Sequence, residues 1–179
     1  RVSRGLGDVY KRQVLEFGLL LSIGGMDLFD SINHALTTMP TGGFSTYDGS
    51  IGHFESYTIE LIIILFMFIG GINFTLLWFI REGQFRKATQ DEEFKNYLVY
   101  ILTTFLFITI ALLATRDYTT MDSFIDSLFH VVSIGTSTGY TSTDYMQWPV
   151  VTHLFLFVLM IVGASAGSTS GGLKLLRVN

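Results

Sequence analysis

The chain has 179 residues, 49% of them hydrophobic and 15% aromatic, while charged residues make up only 15% against a usual ~25%. That balance excludes disordered, collagen-like and coiled-coil chains and leaves too few charges to cover a soluble domain. Zero cysteine removes disulfide frameworks, thiolate metal sites and cysteine nucleophiles, and a net charge of -4 gives no basic footprint for nucleic acid.

The first apolar run, Val14 to Gly24, has 11 residues. That is about 16 Å of helix at ~1.5 Å per residue, short of the ~20 residues a crossing needs. If it were the outer half of a span, residues 1–13 would lie near mid-membrane with Arg1, Arg4, Asp8, Lys11 and Arg12. At about 2.5–3.5 kcal/mol per charge, that insertion is not credible. Residues 1–13 are therefore read as a non-native leader, of the translated linker or adapter kind, ahead of a truncated gene. Leu28–Thr38 then predicts a short amphipathic helix. Ile59–Ile80 predicts a span, with Glu60 near its outer end, placed to reach the headgroups, and Gly70-Gly71 inside it. Residues 81–96 read as a solvated linker of balanced charge. Tyr97–Ala114 predicts a second, uncharged span, and Ser123–Ile134 a second short helix. A third apolar segment runs from Pro149 to Val162 and meets ten small residues, Gly163–Gly172.

Orientation follows from Lys and Arg in short connections. Arg81, Arg86, Lys87 and Lys95 lie between the first two spans, and Lys174 and Arg177 near the C-terminus. Segments 26–57 and 115–148 hold Arg116 alone, among eight Asp and Glu that include Asp30, Asp117, Asp122 and Asp126. The 81–96 linker and the C-terminus are expected in the cytoplasm, and the acidic segments outside.

The outward segments repeat. Asp30-Ser31, then His34, then Thr41-Gly42-Gly43-Phe44 is matched by Asp126-Ser127, then His130, then Thr138-Gly139-Tyr140. The offset is 96 residues at the Asp-Ser pair and 97 at the Thr-Gly pair. Each copy precedes a long apolar helix, so the unit is span, short helix, loop, span. Short helices that cannot cross are expected to be re-entrant. Irregular backbone at membrane depth survives only when buried in protein or lining a wet cavity. Gly42 and Gly139 can take positive φ, which costs other residues about 1–2 kcal/mol, so successive carbonyls can share one axis. Hydroxyls of Thr41, Ser137 and Thr138 would add oxygen ligands, with the aromatics wedged behind. Rings of carbonyl oxygens that replace a hydration shell select K+, and the short helix aims its negative end at the ion.

With these residues in place the chain resembles the TrkH/TrkG/KtrB family of potassium-uptake proteins, relatives of plant HKT transporters. TTMPTGGFST (37–46) resembles the family's second filter loop and GTSTGYTSTD (135–144) its third. GASAGSTSGGLK (163–174) resembles the glycine-rich break that acts as an intramembrane gate, and GGINF (70–74) also fits. Pro40 stands where Ser is common, and Ser replaces glycine or cysteine in the break.

The resemblance implies an all-α transmembrane protein of repeated span, re-entrant pore helix, filter loop and span units. Residues 14–80 would be the second pore repeat, 81–96 a cytosolic linker and 97–179 the third repeat. The first and fourth repeats are expected to be missing. Pro40, Thr41, Gly42 and Gly43, with Ser137, Thr138, Gly139 and Tyr140, would bind K+. Gly163, Gly167, Ser168, Gly171 and Gly172 would form the gate. No cofactor beyond the transported K+ and no enzymatic activity are expected. The resemblance further implies a multi-pass protein of the bacterial inner membrane and a homodimer at full length. Its cytosolic nucleotide-binding partner would be of the TrkA/KtrA type, able to touch the 81–96 linker. Channel-like permeation and cation symport both stay open.

Blander readings stand beside these. Thr-Gly-Gly-Phe alone is more often a turn, and the 163–172 run could be close helix packing. His34 and His130 could ligate metal or relay protons, although structural hydrogen bonding behind the loops is favoured. His53 and His153 read as interface residues. One rival function is an ion-coupled secondary transporter of a small solute, which needs intramembrane charges around a pocket. Another is a membrane-embedded enzyme, for which the Asp–His pairs give thin support.

Overall fold

The computed structural model describes residues 2–115, 119–171 and 173–174. Arg1, Arg116, Asp117, Gly172 and Arg177, singled out above, lie outside them. The described helices are α1 (Val2–Ile23), α2 (Leu28–Thr38), α3 (Tyr57–Gly70), α4 (Phe74–Arg81), α5 (Phe85–Gln90), α6 (Glu92–Ala114), α7 (Thr120–Gly135) and α8 (Val150–Ile161). Helix α1 runs unbroken from Val2 through the stretch expected to be a leader, with Arg12 paired to Glu16 one turn on at 2.6 Å.

Side-chain oxygens start several helices by accepting backbone N–H groups that have no helical partner. Asp27 accepts from Asp30 at 2.7 Å, Thr119 from Asp122 at 3.2 Å and Asp91 from Phe94 at 2.9 Å. These caps fix where the two short helices and the long α6 begin.

The span expected over Ile59–Ile80 is instead two helices, α3 and α4, bent by 105°. A Cβ on Gly71 would come within 2.9 Å of Thr136 Cγ2, so the chain must be bare where α7 packs against the turn. Asn73 then accepts the Thr75 N–H at 2.9 Å and restarts the helix. Among the described residues, α6 alone is long and apolar enough to cross a membrane unaided, and the bent α3–α4 pair is a second if counted as one. Helix α8 ends at Ile161. Val162-Gly163 then pairs in parallel with Leu173-Lys174, pinching the small-residue run between them into a closed loop.

Leu61, Leu65, Leu102, Leu106, Leu154 and Phe157 are exposed, whereas Ser123, Ser127, His130, Ser133, Thr136 and Thr152 are buried. So much exposed apolar surface marks contact with lipid or protein. Apolar side chains gain little by leaving lipid, so packing and internal hydrogen bonds must hold the helices together. Phe17 stacks on Phe66 at 4.1 Å, joining α1 to α3, and Phe68 on Tyr97 at 5.1 Å, joining α3 to α6.

Candidate functional site

Helices α2 and α7 each run into a loop through the same set of bonds. The carbonyl of Thr37 accepts the N–H groups of Gly42 and Gly43 at 2.7 and 3.3 Å, and that of Thr38 accepts Thr41 at 2.9 Å. In the second copy Ser133 accepts Thr138 and Gly139 at 2.8 and 3.2 Å, and Ile134 accepts Ser137 at 2.9 Å. Side chains repeat the scheme. Thr37 Oγ1 donates to the carbonyl of Phe44 at 2.9 Å, and Ser133 Oγ to that of Tyr140 at 2.7 Å. Thr46 donates to Asp30 at 2.6 Å and Ser142 to Asp126 at 3.3 Å. His34 and His130 each donate from Nδ1 to the carbonyl four residues earlier, at 2.8 and 2.9 Å.

All these pairs are 96 residues apart, so the offset of 97 expected at the Thr-Gly pair is corrected. Gly43, not Gly42, is the counterpart of Gly139. The backbone agrees, because φ is +68° at Gly43 and +86° at Gly139, and +56° at Thr41 and +60° at Ser137. Gly42, expected to be left-handed, does not lie in that region.

These bonds orient the carbonyls. A trans peptide directs its C=O opposite to its own N–H. With the N–H groups of residues 41–43 and 137–139 turned back to the helix ends, the carbonyls of Pro40, Thr41 and Gly42, and of Thr136, Ser137 and Thr138, are turned away from them. The helix ends also contribute partial negative charge at the loops. The two loops meet here, since a Cβ built on Gly43 would overlap the carbonyl oxygen of Thr138. The carbonyls of Phe44 and Tyr140 are held from behind by Thr37 and Ser133 instead.

The aromatics differ between the copies. Tyr140 is buried, and its hydroxyl lies 2.6 Å from Thr37 Oγ1, accepts from Thr38 Oγ1 at 3.2 Å and donates to the Phe44 carbonyl at 3.4 Å. It wedges behind the other copy's loop. Phe44, its counterpart, is 75% exposed and wedges behind no described loop. Two of the three expected hydroxyl ligands are also engaged. Thr41 Oγ1 donates to the carbonyl of Thr169 at 3.0 Å, and Thr138 Oγ1 bonds Thr136 Oγ1 at 2.8 Å.

The loop after α8 lies against both Thr-Gly loops. Thr169 Oγ1 shares its proton between the carbonyls of Met39 and Gly70, at 3.2 and 3.1 Å. A Cβ on Gly171 would stand 3.6 Å from the side chain of Ser137. The loop also engages the α3–α4 bend, with Ser165 donating its N–H to the Gly71 carbonyl at 3.3 Å and Phe74 donating to that of Gly167 at 3.2 Å. Ser168 Oγ donates to the Ser165 carbonyl at 2.6 Å, and Ser170 Oγ accepts the Ala164 N–H at 3.1 Å. The N–H of Ala166 is taken by the carboxylate of Glu93, at the start of α6. Of the five expected gate residues, Gly163, Gly167, Ser168 and Gly171 fall in this loop, and Gly172 lies outside the described residues.

Other sequence candidates resolve into packing. His34 Nε2 accepts from Ser45 Oγ at 3.0 Å, completing a structural pair of bonds behind the first loop. Among the described residues no three of His, Asp and Glu are placed to hold a metal. Glu60, expected to reach the headgroups, is instead 7% exposed and lines a cavity of about 400 Å³ with Asp122 and Asp126, where α3 meets α7. His53 stacks on Tyr47 at 3.7 Å, and His153 donates to the Tyr145 carbonyl at 2.9 Å. Glu93 stands in no motif, and the letters of the Thr138-Gly139-Tyr140 motif do not show that Tyr140 reaches the other copy's loop.

The family model TrkH, described as cation transport protein, matches residues 10–116 and 94–179. The chain is 36% identical over 180 residues to the Trk system potassium uptake protein TrkH of Vibrio parahaemolyticus, covering 98% of this chain and 37% of that protein. It is also 36% identical to the Trk system potassium uptake protein TrkG of Escherichia coli K12, over 98% of this chain and 36% of TrkG. The crystal structure of the potassium transporter TrkH from Vibrio parahaemolyticus superposes with a TM-score of 0.94 at 34% identity. That match covers 99% of this chain and 39% of the other. The chain thus spans little more than a third of the length of these relatives, and its all-α transmembrane architecture is that of the transporter. It belongs to the TrkH cation transport family.

Proposed function

We propose that this stretch of a TrkH-family protein supplies two consecutive pore units of a K+ uptake pathway, residues 14–80 and 97–179. Residues 40–43 and 137–140 form two sides of a carbonyl-lined filter, and 163–172 is a gate beneath it. One observation carries this reading. Two loops 96 residues apart turn their N–H groups into helix ends by the same bonds and meet at Gly43 and Thr138. Carbonyls so turned can replace the hydration shell of a cation. The names of the relatives supply the ion.

On this reading K+ passes between the loops, and no bond of the ion's environment is made or broken covalently. Glycine at Gly43 and Gly139 spares each loop a second strained position beside Thr41 and Ser137, which also have positive φ. The loop after α8 crosses the path on the side of Glu93 and the 81–96 linker, which positive-inside bias assigns to the cytoplasm. By the same resemblance the full-length protein is a multi-pass homodimer of the bacterial inner membrane. It is regulated by a cytosolic nucleotide-binding subunit of the TrkA/KtrA type.

The test is ion discrimination in the full-length protein. Gly43→Ser and Gly139→Ser each place a side chain at positive φ, at about 1–2 kcal/mol of backbone strain, and the first also meets the Thr138 carbonyl. Both should lower K+ over Na+ uptake several-fold in a K+-uptake-deficient cell. Unchanged discrimination in both variants would reject the filter assignment.

A further inference from the structure

Glu93 sits in the first turn of α6, where Asp91 already caps the helix. A carboxylate there has a local reason, since it complements the positive end of the helix. Yet Glu93 Oε1 accepts the N–H of Ala166, 73 residues along the chain. That N–H belongs to the stretch where α8 has unwound, and its neighbours Ala164, Ser165 and Ser168 take partners from Ser170, Gly71 and Ser165. The loop is therefore tied on one side to the Thr-Gly loop by Thr169 and Thr41, and on the other to α6 by Glu93.

We infer that Glu93 is a positioning residue that latches the glycine-rich loop in place, and that movement of the α5–α6 corner releases it. The inference rests on the reading of 163–172 as a gate, and adds how that gate is controlled. Helix α5 ends at Gln90, three residues before Glu93, and α5 is exposed along Phe85, Arg86 and Lys87. A cytosolic protein that displaces this corner shifts the carboxylate with it. The charge-assisted bond to Ala166 then breaks, which leaves the loop held through Thr169 and Thr41 alone and makes its departure from the path easier. The chain thereby joins its cytosolic linker to the loop under the filter through one side chain.

The test compares wild type, Glu93→Gln and Glu93→Ala in the full-length protein in lipid nanodiscs, by hydrogen exchange of the 163–171 segment and by K+ flux. Loss of a hydrogen bond to a charged group should speed exchange of that segment about tenfold or more in Glu93→Ala, and less in Glu93→Gln. Exchange in the middle of α6 should stay at wild type, showing that the fold is kept. Basal K+ flux should rise and depend less on the regulatory subunit. Glu93→Gln keeps an acceptor, so it reports even where Glu93→Ala folds poorly. Unchanged exchange at 163–171 would overturn the latch. Faster exchange with wild-type flux and regulation would overturn the gate reading instead, leaving Glu93 as a tether on a packing loop.

Discussion

Tyr140 shows how one side chain can couple two loops. Its ring is buried and its hydroxyl meets Thr37, Thr38 and the Phe44 carbonyl, all in the other copy. Tyr140→Phe keeps the ring and removes those bonds, leaving the buried Thr38 hydroxyl short of its acceptor. The expected cost is about 1–2 kcal/mol, read as a lower melting temperature in detergent together with weaker K+ over Na+ discrimination. If neither moves, the strap carries no load. The motif was legible in sequence, yet its register was misread by one residue. The doubled Gly42-Gly43 offers two alignments to Gly139 with equal appeal in letters. The backbone bonds, the positive φ at Gly43 and Gly139, and the bonds of Thr37 to Phe44 and of Ser133 to Tyr140 separate them. Glu93 was invisible for a related reason, because a glutamate in a first helical turn looks like ordinary capping.

At the scale of elements, the two short helices and α6 were legible from their apolar patterns, although α6 begins at Glu92, ahead of the expected Tyr97 and inside the expected linker. The α3–α4 bend was not, since apolar residues continue past Gly70-Gly71. The signal was Asn73, a capping residue after two glycines within an apolar run. The glycine-rich loop was legible as a break, though its partners lie in other elements. Those partners carry two predictions. Deleting Ala166–Ser170 removes Thr169 and the Ala166 N–H together, so basal K+ flux should rise and its dependence on the regulatory subunit should weaken. Thr169→Val is the finer change. It deprives the Met39 and Gly70 carbonyls of their shared donor and should raise basal flux by a smaller factor. A deletion variant that folds and binds its partner, yet keeps wild-type flux, would reduce the loop to helix packing.

For the whole molecule, composition alone indicated a membrane protein, and the structure gives the physical form of that statement, with buried hydroxyls inside and leucines outside. These residues span little more than a third of the relatives' length. If the filter is a ring of four such loops, as the resemblance implies, two loops make half of it. Residues 1–179 reconstituted alone in liposomes should therefore give no K+-selective flux. Selective flux from this chain would mean that two copies complete the ring. On this reading the carbonyls of residues 40–42 and 136–138 hold a dehydrated cation. Anomalous diffraction from crystals of the full-length protein soaked in Tl+, a K+ surrogate, tests it most directly. A peak is expected between the Thr41 and Thr138 carbonyls, fading when K+ is restored. A transport-competent protein with Tl+ bound elsewhere, and none between these loops, would contradict it.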